Sequence, residues 1–552
     1  MFERPGFPSS RQASAVFALW VVLAVAVYLS TGHGFFFDRI TGIGQDTVGG
    51  RVLTDYLRQL RFASLHLVML AVILSIPFLK PSLRLLVALP LLFGYLVEEA
   101  FMAVKGRPLS LADIAILNTA LDNVSDATAE FGDEVGAAAL KALALFGVPI
   151  VLGFVLASRP RPATAVVLGG TLLCATGYAY VVLTRDSSAL DGFPYSLVYP
   201  FGSVAIVADA ALRDDGQGLS IEDLERTPPP VHARHVILII DESVEGDAFG
   251  HLRRQHPPLP GEVDFGLAFS AVNCSDGANY ALRRGVPGTA VPIVDAPSLF
   301  ALARQAGMTT IYFDNQRNTL RSFFQRDELG AIDEVVLPDD ATPRWARDMG
   351  SLEPILERLR AHERVLLVVN KIGTHFPYGS SLPPGQGSGD RLTDYLRSLQ
   401  VHSLDFLRGL AAHLPPGTVV FYTSDHGQNF ASRSTHCNVE NETEVSEWRV
   451  PLIALADGPA LDALRQAAPG AMHLVSHFEI SETIRHLLGY RSGRAASLFD
   501  RASLAALPAD FCGVYGPPVG LFGKSAQCRP FSKAQAHAAM PWPGLETIAD
   551  AD

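Results

Sequence analysis

The segment Thr418-Val419-Val420-Phe421-Tyr422-Thr423-Ser424-Asp425-His426-Gly427-Gln428 decides how this chain is read. Its first half is a β-branched and aromatic run, the pattern of a buried strand. The run stops at Ser-Asp-His-Gly, so Asp425 and His426 fall at the strand's carboxyl end, where open α/β sheets bind ligands. A carboxylate beside an imidazole is half of a divalent-metal site, with O and N donors suited to zinc or manganese. A plain strand-end turn with a solvated Asp and His fits the same residues. The other ligands must therefore come from elsewhere in the chain.

Around this segment, from His235 onward, strand-like runs alternate with helical patterns. The runs are Val236–Asp241, Thr309–Asp314, Val365–Lys371, Thr418–Asp425 and Val450–Ala454; the helices are Pro297–Ala306, Met349–Ala361, Leu392–His413 and Glu479–Leu488. Such alternation predicts βαβ units and a mostly parallel sheet with helices on both faces. Three runs end in reactive residues: Asp241-Glu242-Ser243, Asn370-Lys371-Ile372-Gly373-Thr374-His375, and Asp425-His426-Gly427. In a parallel sheet those ends share one edge, so Glu242, His375, Asp425 and His426 are expected to converge.

The first third is different. Five segments are long and apolar enough to cross a bilayer: Ser14–Ser30, Phe62–Leu79, Leu85–Val104, Ala138–Ser158 and Thr164–Thr184. Arg4, Arg11, Lys80, Arg84, Arg159 and Arg161 fall in loops on one side, which places the amino terminus in the cytoplasm and everything after Thr184 outside it. Arg39, Arg51, Arg58 and Arg61 in the first external loop oppose that bias. Glu98 and Glu99 read as interfacial residues near a span end. Asn118, Asp122 and Asp126 share one helix face, either solvated or meeting a lipid headgroup.

Four domains are expected: a transmembrane domain over 1–184, an amphipathic or linker segment over 185–230, a catalytic domain over 231–507 and a loosely structured tail over 508–552. Phe193–Leu212 reads as an interfacial helix or a plain linker helix. Four exported cysteines allow three pairings; Cys512–Cys528 is the local one, which leaves Cys274 with Cys437. A formal net charge of −12 with no basic run argues against nucleic acid.

These residues resemble the alkaline phosphatase superfamily. The similarity is greatest to its membrane-anchored, sulfatase-like branch, which holds lipid A phosphoethanolamine transferases and lipoteichoic acid synthases. The resemblance implies a five-span helical membrane domain plus an α/β sulfatase-like domain, at the bacterial inner membrane with its catalytic domain in the periplasm. It implies a divalent cation, Zn²⁺ or Mn²⁺, on Glu242, Asp425, His426 and a nucleophilic hydroxyl. In the family's register the nucleophile falls on Ser275, within Asn273-Cys274-Ser275-Asp276-Gly277-Ala278-Asn279-Tyr280-Ala281-Leu282-Arg283-Arg284-Gly285. His375 and His436 match substrate-binding histidines. The family usually has Thr at the nucleophile, and Ser275 also suits a helix N-cap. Ser243 is the competing hydroxyl; its side chain is expected to face away, since neighbours at a strand end point to opposite sides. Sulfatases resemble Cys/Ser-x-Pro-x-Arg here, whereas this chain has Gly277 and Asn279, which argues against sulfate ester hydrolysis.

Phe313-Asp314-Asn315-Gln316 resembles the Asp-Asn-Gln of the phosphoethanolamine transferases, and Ser322-Phe323-Phe324-Gln325-Arg326-Asp327 resembles a glycerol phosphate-binding motif of the lipoteichoic acid synthases. Asn315 and Arg326 are therefore candidate substrate contacts. The implied function is metal-dependent transfer of phosphoethanolamine from a membrane phospholipid donor to an envelope glycolipid or glycan, through phospho-serine, by a monomer. A phosphoglycerol transferase or phosphodiesterase is an alternative of the same fold. A silent lipid- or glycan-binding relative is an alternative of another class.

Overall fold

The computed structural model describes residues 10–31, 52–119, 128, 131–156, 160–184, 193–212, 218–288, 292–317, 319–431, 435–517 and 526–538. Arg4, Arg39, Arg51, Arg159, Asp122 and Asp126 lie outside them. The chain divides into two compact units, Met1–Leu212 and Arg213–Asp552.

The first unit is helical: α1 (Ser10–Leu29), α2 (Val52–Ser75), α3 (Pro81–Lys105), α4 (Leu111–Thr119), α5 (Gly132–Leu152), α6 (Pro160–Thr184) and α7 (Val198–Leu212). Among the described residues three stretches are long and apolar enough to cross a membrane: Pro81–Lys105, Gly132–Leu152 and Arg161–Tyr180. The apolar parts of the first two expected spans, Ser14–Leu29 and Phe62–Phe78, are shorter. Helix α3 starts with Pro81, which fits the helical first turn, and stops at Gly106 in the left-handed conformation (φ 73°). Arg84, read as bracketing a loop, lies in the first turn of α3. Its guanidinium is buried and donates to the carbonyls of Leu79, Ile150 and Gly153, and a Cβ at residue 153 would lie 2.0 Å from Arg84 Cζ.

Glu98 and Glu99, read as lying near a span end, are buried in this unit at 4% and 2% exposed. Each has a matched donor that makes burial tolerable: Glu98 accepts from Tyr199 N at 2.9 Å, and Glu99 pairs with Lys141. Asn118 accepts from Tyr199 and Ser203 hydroxyls at 3.0 and 3.1 Å. Helix α7 is thereby anchored in this unit, with Phe193 and Tyr195–Tyr199 buried and Val204 and Val207 exposed.

The second unit is built on a sheet of seven strands: β1 (His235–Asp241), β2 (Glu262–Phe269), β3 (Thr309–Asp314), β4 (Glu334–Val336), β5 (Val365–Asn370), β6 (Thr418–Ser424) and β7 (Arg449–Leu455), in the order β2-β7-β6-β1-β5-β3-β4. Only β7 runs against its neighbours. Strand β1 is central, and its alternation feeds two cores. Val236, Leu238 and Ile240 join one, and Ile237 and Ile239 the other. Each such side chain contributes about 1.5–3 kcal/mol on burial. The register aligns Ile240 with Asn370 and Asp241 with Ser424, so the ends of β1, β5 and β6 are level.

The predicted helices appear as α10 (Leu299–Gln305), α11 (Leu352–Ala361), α12 (Arg391–Leu399, continuing to Ala411) and α14 (His477–Leu487); α8 (Gly246–Arg254), α9 (Ser275–Arg283) and α13 (Gly458–Ala471) complete the cover. Two edge strands escaped the pattern. Strand β2 carries Asp264 and a left-handed Gly266 (φ 70°), and its pairing with β7 shifts register there; β4 has three half-exposed residues.

Among the described residues, the tail contains paired strands. Asp510–Tyr515 (β8) and Gln527–Ser532 (β9) form an antiparallel pair joined by Cys512–Cys528. It docks beside the segment leading into α9: Asn273 N donates to Val514 O at 3.2 Å, Val514 N to Ala271 O at 3.0 Å, and Trp448 Nε1 to Val514 O at 3.0 Å.

Candidate metal centre and active site

The aligned ends of β1 and β6 deliver Glu242, Asp425 and His426, all buried, with one ligand atom from each within 4.8 Å of the others. Asp425 Oδ1 is held by the amides of Ser243 (3.0 Å) and His426 (2.7 Å) and the Ser424 hydroxyl (3.3 Å). Its other oxygen, Oδ2, is buried without a hydrogen-bond partner. His426 Nδ1 donates to Gly427 O at 2.8 Å, which turns the Nε2 lone pair inward. Gly427 is required, because a Cβ there would lie 2.1 Å from Ser446 O.

Two carboxylates this close cannot both be comfortable as anions. Burial, then the neighbouring Glu242, pushes the Asp425 carboxyl up to about 7. Burial also works against ionised Glu242, but its bond to His426 and the charges of His375, His426 and His436 hold it well below the usual carboxylate range. Burial opposes a charged His426, yet Asp425 and Glu242 raise it to about 9. This anionic O, O, N set with an orphaned buried oxygen fits a divalent cation, and those residues would hold it.

Ser275 completes the ring. Cys274 is the N-cap of α9 and Ser275 the first helical residue. Its hydroxyl lies 3.1 Å from His426 Nε2 and donates to Glu242 Oε1 at 3.3 Å. It makes no described capping bond, so the N-cap alternative is set aside. Gly277 allows Val272 to approach, since a Cβ would meet Val272 Cγ1 at 2.8 Å. The disulfide Cys274–Cys437 forms and ties the start of α9 to the loop carrying His436, whose ring stacks on His426 at 4.2 Å.

Ser243 does not face away. It takes a left-handed conformation (φ 62°), and its hydroxyl donates to Glu242 Oε1 at 2.8 Å. The alternation argument fails because β1 ends at Asp241, so strand periodicity no longer governs residue 243.

His375 is near enough to act electrostatically on Glu242. His375 Nδ1 lies 2.7 Å from Arg344 Nη2 and 2.5 Å from the carbonyl of Phe376. Asn315, a candidate substrate contact, has its side-chain amide engaged within the fold. It is buried, donating to Asp348 Oδ1 at 2.9 Å and Ser351 Oγ at 3.2 Å. The next residue reaches the site instead, with Gln316 Nε2 donating to Glu242 Oε2 at 2.9 Å. Arg326 opens a short helix, Arg326–Leu329, and its side chain lies outside the described residues.

Sequence reasoning also missed the support behind the site. Asp241 Oδ2 receives Lys371 Nζ (2.7 Å), Ser403 Oγ (2.8 Å) and Tyr422 OH (2.7 Å). Asp348 takes the amides of Ile372 and Gly373 and His402 Nδ1, fixing the turn that leads to His375. Gly373 is left-handed (φ 52°), and a Cβ there would lie 2.3 Å from Asp241 Oδ1. Lys371 was visible in the sequence at a strand end, but its partners come from three separate elements.

Residues 234–490 match the family model described as Sulfatase. Among solved structures, the chain is similar to the integral membrane lipooligosaccharide phosphoethanolamine transferase A (EptA) from Neisseria meningitidis, with TM-score 0.55 and 14% identity, covering 89% of this chain and 98% of that one. It is also similar to the C-terminal periplasmic domain of EcEptC from Escherichia coli in complex with Zn (TM-score 0.42, 15% identity, 55% and 93% covered) and to the lipoteichoic acid synthase LtaP from Listeria monocytogenes (TM-score 0.35, 13% identity, 55% and 85% covered). A search of curated proteins found no match. At these identities the EptA likeness is one of fold. The seven-stranded sheet and the Glu242, Asp425 and His426 cluster both fall within the residues 234–490 that match the Sulfatase family model.

Proposed function

We propose that this protein is a membrane phosphotransferase that moves phosphoethanolamine from a phospholipid donor to an envelope glycolipid or glycan. The observation that carries the reading is the Ser275 hydroxyl, 3.1 Å from His426 Nε2 and 3.3 Å from Glu242 at the amino end of a nine-residue helix. That placement is what a nucleophile toward phosphorus needs, because the helix end favours an anionic phosphoryl group. Five spans, an inner-membrane location with an extracytoplasmic sheet domain, zinc as the metal, and a monomer belong to the same reading.

Bound at the cluster, a divalent cation supplies Lewis-acid stabilisation of the ionised serine and of phosphoryl oxygen. The ionised Ser275 Oγ attacks the donor phosphorus. The Oγ–P bond forms, the bond from phosphorus to the diacylglycerol oxygen breaks, and the departing alkoxide takes a proton from water. His375 donates to a phosphoryl oxygen, its ring held by Arg344 and the Phe376 carbonyl on Nδ1. The acceptor hydroxyl then attacks phosphorus, loses its proton to water, and releases Ser275. Gln316 and Ser243 hold the Glu242 carboxylate in place throughout.

The test is to trap the intermediate by incubating the full-length protein with phosphatidylethanolamine and mapping a phosphoethanolamine adduct by mass spectrometry. The adduct is expected on Ser275, absent in Ser275→Ala and present in Ser243→Ala. Turnover should fall by at least about 10³-fold in Ser275→Ala. An adduct that survives Ser275→Ala would refute the nucleophile assignment. A phosphoglycerol donor that labels Ser275 faster than phosphatidylethanolamine would reassign the transferred group.

A further inference from the structure

His477 is fully buried, and both of its ring nitrogens are bonded. Local sequence fixes its backbone. Ser476 and Glu479 form a capping box, with Ser476 N donating to Glu479 Oε2 at 2.8 Å, so His477 becomes the first helical residue of α14. From there its ring bridges two segments that are distant in sequence. Ala271 N, between β2 and α9, donates to Nδ1 at 3.3 Å. Nε2 lies 2.9 Å from the carbonyl of Ser424, the last residue of β6. An amide can only donate and a carbonyl only accept, so the neutral ring carries its proton on Nε2 and satisfies both.

Those two segments carry the metal ligands and the candidate nucleophile. Ser424 directly precedes Asp425 and His426, and Ala271 stands four residues before Ser275. Ser270 joins the same pair of segments: its Oγ is 3.4 Å from His477 Nδ1 and 2.5 Å from the carbonyl oxygens of both Val272 and Asp425. The Ala271 peptide is held on its other side as well, its carbonyl accepting from Val514 N at 3.0 Å. The 3.1 Å approach of Ser275 Oγ to His426 Nε2 spans the gap between the segments. A side chain that only filled this space would be apolar, because a buried imidazole is costly unless each nitrogen is matched.

We propose that His477 is a positioning residue. It sets the spacing between the β6 end that carries Asp425 and His426 and the segment that delivers Ser275. Metal ligands and a nucleophile must be held to within about 0.5 Å, and a misplacement of about 1 Å can cost about a hundredfold in rate. Its part in transfer rests on the phosphotransferase reading; its part in holding the metal ligands does not.

The test separates the two bonds in full-length protein in detergent. His477→Gln puts an amide nitrogen near the place of Nε2 and keeps a donor for Ser424. His477→Asn puts an amide oxygen near the place of Nδ1 and keeps an acceptor for Ala271. His477→Phe keeps a ring and loses both bonds. Zn²⁺ affinity is read by competition with a chromogenic chelator, well below each variant's unfolding temperature, and the Ser275 adduct is timed at saturating Zn²⁺. Zn²⁺ affinity is expected to fall at least about tenfold in His477→Phe, to recover in His477→Gln, and to recover less in His477→Asn. Adduct formation should slow about a hundredfold in His477→Phe and recover only in part in either amide variant. Wild-type Zn²⁺ affinity in folded His477→Phe would overturn the proposal. So would equal Zn²⁺ losses in the Gln and Asn variants, which carry the test if His477→Phe does not fold. A wild-type protein that forms no adduct, but whose variants keep this order of Zn²⁺ affinity, would break the transferase reading and leave the positioning role standing.

Discussion

In the helical unit Glu98 and Glu99 are buried next to each other on one helix; in the sheet unit Glu242 and Asp425 are buried next to each other at the ends of two strands. The first pair is matched internally, Glu98 by the Tyr199 amide and Glu99 by Lys141. The second has amide, hydroxyl and imidazole neighbours but no lysine or arginine among its described hydrogen bonds, and Asp425 Oδ2 accepts no hydrogen bond, His426 Nε2 lying 3.6 Å away. A buried carboxylate with its own cation or amide builds structure; a buried pair sharing one imidazole is built for a ligand.

The most severe way to break this contrast is Asp425→Asn or Glu242→Gln. Either is expected to reduce bound metal to background, measured by atomic spectroscopy, and transfer by at least about 10³-fold. The helical unit should keep its circular dichroism. Full metal retention in both variants would erase the distinction between the two pairs.

A gentler attack falls on the matched pair. Glu99→Gln alone leaves Lys141 without its carboxylate and is expected to cost about 2 kcal/mol, since the lysine side chain is 27% exposed and can recover water. It should appear as a lower unfolding temperature in detergent, with metal content unchanged. Glu99→Gln/Lys141→Met should regain part of the loss. A metal deficit in Glu99→Gln would show that the two sites are not separable.

The smallest effect sharpens the comparison from the other end of β1. His235 opens that strand, is fully buried, and both ring nitrogens lack hydrogen-bond partners. Burial, then Arg234 and His362, lowers it to about 4. An unfolded histidine titrates near 6.5, so the unfolded chain binds the proton first. The stability that neutral His235 allows is therefore complete above about pH 6.5 and lost as pH falls toward 4. His235→Phe should remove this part of the acid sensitivity, about 2 kcal/mol, in melts recorded across that range. An unchanged acid profile would locate the sensitivity elsewhere.

Much of the sheet domain was legible. Apolar runs with their β-branched residues marked β1, β3, β5, β6 and β7, because strands buried on both faces must be apolar throughout. Edge strands β2 and β4 need not be, and they were missed. The metal-ligand positions were legible for a related reason. Glu242, Asp425 and His426 follow such runs directly, so strand order alone levels them. Asn315 was chosen over Gln316 because a motif gives a neighbourhood, and only the turn at Asp314 decides which side chain turns inward.

The sequence by itself determined the mostly parallel sheet, the local Cys512–Cys528 pair and the position of Glu242, Asp425 and His426 directly after strand ends. Each depends on local patterning or on short-range placement after a strand. The tertiary structure alone decided that Ser243 shares Glu242 with Ser275, that Arg84, Glu98 and Glu99 turn inward, and that the tail walls the approach to α9. These depend on where a left-handed residue, a helix turn or a docked hairpin aims a side chain. Such aims are fixed by packing between distant segments, which no local pattern encodes.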